Sequence, residues 1–442
     1  MPVKWKKKFR PELILKRIAQ TRTRNPEGKG SSFAGLEVKS CLPSLHTMLD
    51  FPEVAKNMDH ATLIWRAAAY DPGELTKESF LRELNKQLSA SLSIREEPYS
   101  VLTAMSLHGD LPFSRMVIEG VEIKFYKNSY PRKFNIHRKT QVEQRRIPVA
   151  ESPPAYVKIV ANLKAKTPAL AFSGAIRVID LYRALWCLYC NSEMELIGRS
   201  WQPINAIRLG AVHTVHSSTG ATPKDEFWFE PYHAPIDALR PNNFEIIVGK
   251  VQRDFRLIRL HPYRDDILTS LLLFVRALDE WNQTTAFIRL WGALERLASP
   301  GRGDYEAVVR RCSFLWDDVG FATQTLEHLR EYRNGFMHAG IESEHAKTYC
   351  FQLQQQFRAL VRFHIGNGNR FRSLNDANEF LSLPSDLSSL GRLNKAVTYA
   401  RERLQNRRHW HGMCEIDVMK QMSLSESGFE RKTKRTRKRE FL

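Results

Sequence analysis

The 442-residue sequence contains few cysteines and no long apolar run. Its six cysteines are scattered, which excludes the disulfide framework typical of small secreted domains. No stretch reaches the roughly 18 consecutive apolar residues that a membrane-spanning helix needs. The start, MPVKWKKKFRPELILKRIAQ, lacks the apolar core and small-residue cleavage site of a signal peptide. We therefore expect a cytoplasmic protein with reduced thiols and no membrane partner.

Sequence patterns that would indicate a cofactor are also incomplete. Residues 217–222 are not followed by Gly-Lys-Ser/Thr at the spacing of a P-loop, which argues against a nucleoside triphosphatase. One set of four N and S ligands suits zinc, namely Cys187, Cys190, His213 and His216. The cysteines fall in an apolar helix and the histidines alternate along a predicted strand, so core positions are the favoured interpretation. We expect no metal and no other cofactor.

Acidic residues are outnumbered by basic ones. The chain has 67 Lys and Arg against 48 Asp and Glu, a net charge of +19 and a pI near 9.7, which attract polyanions such as nucleic acid. Basic runs stand at residues 4–10 and 431–439, and such blocks tend to stay disordered. They are interpreted either as solubilising tails or as nucleic-acid contacts. For nucleic-acid binding we name Lys432, Lys434, Arg435, Arg437 and Lys438.

The length predicts more than one domain, since a single core usually serves about 100 to 200 residues. An apolar content of 43% indicates that most of the chain buries a core. We predict an α+β protein in which a mixed α/β region precedes an all-α bundle. Its parts are a basic arm at 1–35, an α+β sensor or regulatory region at 36–260, a helical bundle at 261–366 and a helical extension with a basic tail at 367–442.

Hydrophobic periodicity predicts the individual elements. Runs rich in β-branched and aromatic residues predict strands at 100–107, 115–126, 155–163, 207–216, 226–232 and 244–251. Helical spacing predicts helices at 77–92, within 168–190, near 264–281, 284–298, 304–315, 323–339 and 344–365, and at 391–410. The polar, basic segment 130–148 is predicted to be a mobile loop. Short connections between the later helices indicate a bundle.

One predicted helix carries an arginine on its apolar face. Advancing about 100° per residue from Leu326 places Leu329, Phe336 and Met337 on one face, with Arg333 in its middle. Burying a guanidinium without a partner costs several kcal/mol. This face therefore needs a carboxylate nearby, or it is a ligand cleft.

The preceding helix offers that carboxylate. Glu295 follows Trp291 by four residues and so lies on an apolar stripe. Each of these two residues places a charge on an apolar helix face, and the two charges are opposite. Both positions are explained if Glu295 pairs with Arg333. Asn334 and His338, four residues apart, share a flank at the border of the apolar face. There they either hold a phosphate together with the arginine or meet another subunit.

The segment EYRNGFMHAG resembles the R-N-x-x-x-H signature of HEPN nucleases. The upstream WGALERLA resembles the glutamate-bearing helix of the Apea-like branch of that superfamily. The resemblance covers about 100 of the 442 residues. It implies an all-α HEPN bundle, a homodimer that sets two motifs face to face, and RNA cleavage without metal. The 2′-hydroxyl would attack the adjacent phosphate and leave a cyclic phosphate and a free 5′-hydroxyl.

The resemblance also implies residue roles. His338 would be general acid or base, because imidazole exchanges protons near neutral pH. Arg333 would bind the phosphate and stabilise its charge, Asn334 would position the substrate or His338, and Glu295 would support them. Chains that join a sensing region to such a nuclease resemble anti-phage defence and toxin proteins of prokaryotes. This implies abortive infection started by a phage-derived or nucleotide trigger.

Two alternatives stay open. His338 could favour the helix dipole before Gly340, and Arg333 could form a structural ion pair, in a non-catalytic dimerisation or RNA-binding module. The chain could also be the helical partner of a nucleotidyltransferase in a toxin–antitoxin system. Growth arrest and RNA cleavage that depend on His338 would separate the first interpretation from these two.

Overall fold

The computed structural model describes residues 2–25, 30–56, 58–145, 152–195, 202–223, 226–230, 233, 235–301 and 303–405. The predicted α+β class is confirmed: a sheet region comes first, and the later part is helical. Within these ranges, no helix is long and apolar enough to cross a membrane.

The chain divides into two compact units. The first consists of Met1–Leu260, Ile267–Ala293 and Ser343–Gln354, and the second of His261–Asp266, Leu294–Glu342 and Gln355–Leu442. Three helices of the predicted bundle contribute residues to both units, so the division does not fall at one point of the chain. The domain boundaries suggested by composition remain predictions.

The first unit begins with a cluster of helices around an apolar core that includes Leu15, Ile18, Leu45 and Phe80. The helices are α1 (Pro11–Thr21), α2 (Glu37–Met48), α3 (His60–Tyr70) and α4 (Lys77–Ser93). Strand β1 (Lys4–Trp5) pairs with β4 (Leu49–Asp50), and β2 (Arg22–Arg24) pairs with β3 (Ser31–Phe33). The predicted disorder of the first basic run is therefore wrong, because backbone pairing holds it.

A six-stranded antiparallel sheet follows, in the order β10-β9-β5-β8-β7-β6. Its strands are β5 (Glu97–His108), β6 (Arg115–Ile118), β7 (Val121–Tyr126), β8 (Tyr156–Ala165), β9 (Val212–Ser217) and β10 (Trp228–Phe229). The first three predicted strand regions are confirmed, and 115–126 is divided by a turn at Glu119 and Gly120, both with positive φ. The two regions predicted next form shorter strands than expected.

Two helices cover opposite faces of this sheet, α6 (Pro168–Cys190) and α5 (Arg132–Arg145). His213 bonds Thr103 and contacts the α6 residue Phe172, whereas His216 contacts the α5 residue Phe134. Residues three apart on a strand point to opposite faces. The two histidines therefore cannot join the same zinc ion, and both are buried core residues.

Helix α5 replaces the mobile loop that was predicted at 130–148. Phe134, Arg138 and Gln141, spaced at i, i+4 and i+7, are all buried. Arg138 donates hydrogen bonds to the carbonyl oxygen of Val212 and to Thr214 Oγ1. The prediction was wrong because a face that is buried through an arginine and a glutamine has no apolar periodicity.

Helix α7 (Phe244–Arg259) replaces the strand that was predicted at 244–251. Its buried residues include Phe244, Val248, Val251 and Ile258, which follow helical spacing over four turns. A short apolar run fits a buried strand and a helix equally well. The window of eight residues was too short to show the period.

The helices predicted near 264–365 are confirmed. They are α8 (Arg264–Ala277), α9 (Gln283–Ala298), α10 (Tyr305–Ser313), α11 (Val319–Ala339) and α12 (Ala346–Gly366), followed by α13 (Leu374–Leu381). Residues 387–405 are helical as well. In the second unit, Asn378 Nδ2 donates to the carbonyl oxygen of Leu297 and Trp316 Nε1 to Gln356 Oε1. The first contact is buried and joins α13 to α9, and the second is partly buried and joins the connection before α11 to α12.

An ion network lies inside the first unit. Arg183 has no exposed surface, and its guanidinium donates to Asp180 Oδ1 at 2.8 Å and to Asp279 Oδ1 and Oδ2 at 2.7 and 2.6 Å. It also donates to the carbonyl oxygen of Ile207. Arg276 Nε lies 2.5 Å from the second oxygen of Asp180. Each buried charge therefore has a partner of opposite sign.

We predict that Arg183→Ala lowers the free energy of unfolding by about 3–5 kcal/mol, because it removes the buried cation that Asp180 and Asp279 share and leaves Asp180 with Arg276. Urea unfolding followed by circular dichroism measures this. Arg177→Ala, on the exposed side of the same helix, is the control and should change stability by less than about 0.5 kcal/mol. Equal effects of the two variants would contradict a special role for the network.

Candidate active site

The R-N-x-x-x-H segment occupies the last turns of α11, and both ends of this helix are fixed by local contacts. Asp318 caps the start by accepting a hydrogen bond from the backbone N–H of Phe321 at 2.9 Å. Gly340 ends the helix in the left-handed conformation with φ of 65°, and its N–H donates to the carbonyl oxygen of Phe336. His338 therefore lies in the final turn.

Burial along α11 changes halfway. Ala322, Leu326 and Leu329 are buried, but none of the residues from 330 to 339 is. Phe336 is partly buried, and Met337 is 51% exposed, so the predicted burial of Met337 is wrong. The apolar face is fully covered in the first half of the helix and only partly covered in the half that carries the motif.

Arg333 is half-buried against a tyrosine. The centre of its guanidinium lies 4.2 Å from the centroid of the Tyr305 ring, and its Nη2 donates to Tyr305 Oη at 2.7 Å. Its Nη1 donates to Asn334 Oδ1 at 3.2 Å. Tyr305 is the first residue of α10, where Asp304 accepts a hydrogen bond from the N–H of Ala307. The capped first turn of α10 thus positions the Tyr305 ring against the Arg333 guanidinium.

Glu295 lies near Arg333 but is not its hydrogen-bond partner. Burial raises the pKa of the Glu295 carboxyl, and the positive charge of Arg333 opposes that rise. Within the part of the chain that the structure describes, no hydrogen bond and no ion pair within 4.0 Å joins the two side chains. The predicted pairing of Glu295 with Arg333 is therefore wrong, and their interaction is electrostatic at longer range.

This arrangement leaves Arg333 able to bind an anion. A guanidinium has five N–H donors, and the contacts to Tyr305 and Asn334 use two of them. Nε and one N–H on each of Nη1 and Nη2 remain for a phosphate. A tight pair with Glu295 would have occupied these donors. The tyrosine ring orients the cation without neutralising it.

Asn334 and His338 lie on the flank of α11 that the sequence predicted. Asn334 is partly buried and bonds Arg333, whereas His338 is exposed. The structure therefore brings Arg333 and Asn334 into contact and places His338 one turn further, towards solvent. The five basic residues named at 432–438 lie outside the described residues.

Tyr305 was missed by the sequence analysis. It follows the loop SPGRGD and does not interrupt any apolar pattern, so its side chain gives no sign of a special contact. The one available signal was Asp304, an N-cap residue that fixes where α10 begins. Asp304 thus locates the Tyr305 ring at the start of α10 but does not indicate which cation the ring contacts.

We predict that Glu295→Gln stabilises the protein at neutral pH. A carboxyl whose pKa is raised in the folded state contributes its full stability below its usual pKa and loses it as pH rises through the raised value. Because glutamine stays neutral, the variant should unfold at a higher temperature than the wild type near pH 7, and the difference should vanish near pH 4. Thermal unfolding across this range, with the exposed Glu306→Gln as control, tests it. A lower unfolding temperature at pH 7 would contradict the assigned pKa shift.

Comparison with known proteins gives no match for this chain. No family model matches it. No curated protein and no solved structure matches it either. What the chain does is therefore inferred from its own residues.

Proposed function

We propose that the protein is a metal-independent endoribonuclease of the HEPN type, with Arg333, Asn334 and His338 as its catalytic residues and Glu295 in support. The observation that carries the proposal is the state of Arg333. It is oriented by the Tyr305 ring and Asn334, and it retains N–H donors at an open end of α11. A pre-oriented cation with unused donors beside an exposed imidazole suits binding and cleavage of a phosphodiester.

In the proposed reaction, the 2′-oxygen of one nucleotide bonds to the adjacent phosphorus as the bond from phosphorus to the 5′-oxygen breaks. A base takes the proton of the 2′-hydroxyl, and an acid gives a proton to the departing 5′-oxygen. His338 fills one of these two roles. Arg333 stabilises the charge on the non-bridging oxygens, for which a planar cation with several donors is suited. No metal enters this scheme.

We further propose that two copies complete the site. One copy of the motif offers a single imidazole, that of His338, while the reaction needs an acid and a base. The half of α11 that carries the motif, with no fully buried residue from 330 to 339 and with 337–339 exposed, is a surface that a second copy could cover. Two motifs facing each other would supply both histidines and both arginines to one cleft. The biological role proposed for such a dimer is a toxin-like effector of anti-phage defence in the cytoplasm, set off by a phage-derived or nucleotide trigger at the N-terminal region.

A second candidate is a non-catalytic dimerisation or RNA-binding module. It is favoured by the position of His338 in the last turn of α11, where a protonated imidazole stabilises the helix dipole. In this case the contact of Arg333 with Tyr305 would be structural. A partner role in a toxin–antitoxin system belongs to the same non-catalytic class.

We predict that His338→Ala lowers the RNA cleavage rate by about 10²–10⁴-fold, because general acid–base catalysis contributes that much. Arg333→Ala should also abolish most of it. The assay uses purified protein in EDTA with an end-labelled RNA, and mass analysis should find cyclic phosphate ends. A substrate with a 2′-deoxynucleotide at the cleaved position should resist cleavage.

The matched control is His328→Ala, an exposed histidine on the same helix, which should cleave at the wild-type rate. If His338→Ala retains full activity, or if products carry 3′-hydroxyl ends, the proposed site and reaction are wrong. RNA binding without cleavage by the wild-type protein would favour the second candidate.

We predict that the basic tail provides part of the RNA affinity through phosphate contacts. Replacing Lys432, Lys434, Arg435, Arg437 and Lys438 by glutamine should lower the slope of log affinity against log salt by about three to four, since each contact with a single strand contributes about 0.7. Filter binding at several salt concentrations measures it. An unchanged slope would identify the tail as a solubilising segment.

A further inference from the structure

A pocket of about 430 Å³ lies between α7, α6 and strand β6 in the first unit. Its size falls within the range of roughly 300–1,000 Å³ that is usual for small-molecule sites. One side of α7 forms a long wall, in which the lining residues recur at helical spacing: Val248, Val251, Gln252, Phe255, Arg256 and Arg259. Phe113, Met116 and Val117 line the pocket from β6 and the loop before it. Most of the wall is therefore apolar or aromatic, as in most ligand sites.

Two polar side chains are buried in the wall of this pocket. Tyr182 and Trp186, one turn apart on α6, are 1% and 0% exposed, and both line the pocket. Burial raises the pKa of the Tyr182 phenol, and the N–H of Trp186 opposes that rise. The phenol stays protonated, and among the described residues its O–H has no acceptor. A buried donor without an acceptor is rare in folded proteins, and here it lies beside a space that a ligand atom can fill.

The exposed side of the pocket is positively charged. Arg256 and Arg259 are exposed and line the pocket from the end of α7. Arg115 also lines it but lies 2.6 Å from Glu122. In the part of the chain that the structure describes, no acidic residue lines the pocket, and no carboxylate lies within 4.0 Å of Arg256 or Arg259. Basic residues at a helix end favour its dipole, and these two also leave the pocket with an unbalanced positive charge.

We propose that this pocket binds a nucleotide, with the base inside and the phosphate at the exposed arginines. A nucleobase carries nitrogen and carbonyl acceptors along its edge for the O–H of Tyr182, whereas an alkyl chain has none. Phe113 and Phe255, both partly buried, offer rings on which a base can stack. Two guanidinium groups without counterions suit the double charge of a phosphate monoester better than the single charge of a carboxylate.

Binding in this pocket requires no nuclease activity. It gives a place to the nucleotide trigger named in the proposed function, and only the use of the bound nucleotide as a trigger rests on that function. The pocket belongs to the first unit and Arg333 to the second. Substitutions can therefore disable the two sites separately.

Isothermal titration calorimetry of the full chain with AMP tests the proposal. Adenosine, which lacks the phosphate, and octanoate, which has a charge and an apolar body but no ring, should bind at least about tenfold more weakly than AMP. Arg256→Gln and Arg259→Gln should each raise the Kd for AMP at least about fivefold, because each removes a charged donor. The matched control is Lys250→Gln, exposed on the opposite side of α7, which should change the Kd by less than about twofold.

Tyr182→Phe gives a second readout that a structural role would not produce. Loss of the hydroxyl should raise the Kd for AMP at least about threefold, since it removes the donor to the base. The unfolding temperature without ligand should be unchanged or higher, because the hydroxyl has no acceptor there. A hydroxyl that served only the fold would give the opposite pattern, a lower unfolding temperature with unchanged affinity.

Several results would overturn the proposal. AMP could fail to bind, adenosine could bind as tightly as AMP, or octanoate could bind more tightly, which would identify a site for apolar acids. Unchanged AMP affinity in both Arg256→Gln and Arg259→Gln would do the same.

The failure of this site can be told apart from failure of the nuclease. AMP affinity should persist in Arg333→Ala and His338→Ala. Loss of AMP binding in Arg333→Ala but not in Arg256→Gln would mean that AMP occupies the nuclease site instead. RNA cleavage without AMP binding overturns only the pocket, and Arg256-dependent AMP binding without cleavage overturns only the nuclease.

Discussion

The folded structure depends on hydrogen-bond and charge partners for guanidinium groups that are buried away from water. In the first unit, Arg183 has no exposed surface, and two carboxylates and a backbone carbonyl meet its donors. The carboxylates come from α6 and from Asp279, almost 100 residues later, and the carbonyl comes from Ile207. The charge therefore ties distant segments to one geometry. Any other packing would leave a buried charge without its counterion, at a cost of several kcal/mol.

Arg333 is also partly removed from water, but its hydrogen-bond partners are uncharged. The two arginines therefore differ in how much charge they keep for a ligand. The partners of Arg333 are the face and hydroxyl of Tyr305 and the amide oxygen of Asn334, none of which carries a charge. Glu295 acts on it only through space. The guanidinium thus keeps its charge and several donors at the edge of the unit. A buried arginine whose charge is balanced by carboxylates fixes the packing of a core. An arginine that is oriented but has no counterion keeps the charge and the donors to bind a phosphate.

Hydrophobic periodicity predicted the helices and strands correctly where their buried residues are apolar. It located α9 and α11, because these helices bury leucines at regular spacing, but the pairing that it suggested between Glu295 and Arg333 does not form. It failed at α5, whose buried face includes Arg138 and Gln141, and at α7, whose first eight residues are apolar enough for a strand. The same limit applies to Met337, which lies on the apolar face of a helix that is covered only over its first half.

The α+β class and the helix that carries Arg333, Asn334 and His338 could be predicted from the sequence alone, because both follow from local hydrophobic period and from capping residues. The partner of each buried charge depends instead on tertiary packing. Tyr305 rather than Glu295 holds Arg333, and Asp279 reaches Arg183, because contacts between distant segments depend on how helices pack and leave no periodic trace in the chain.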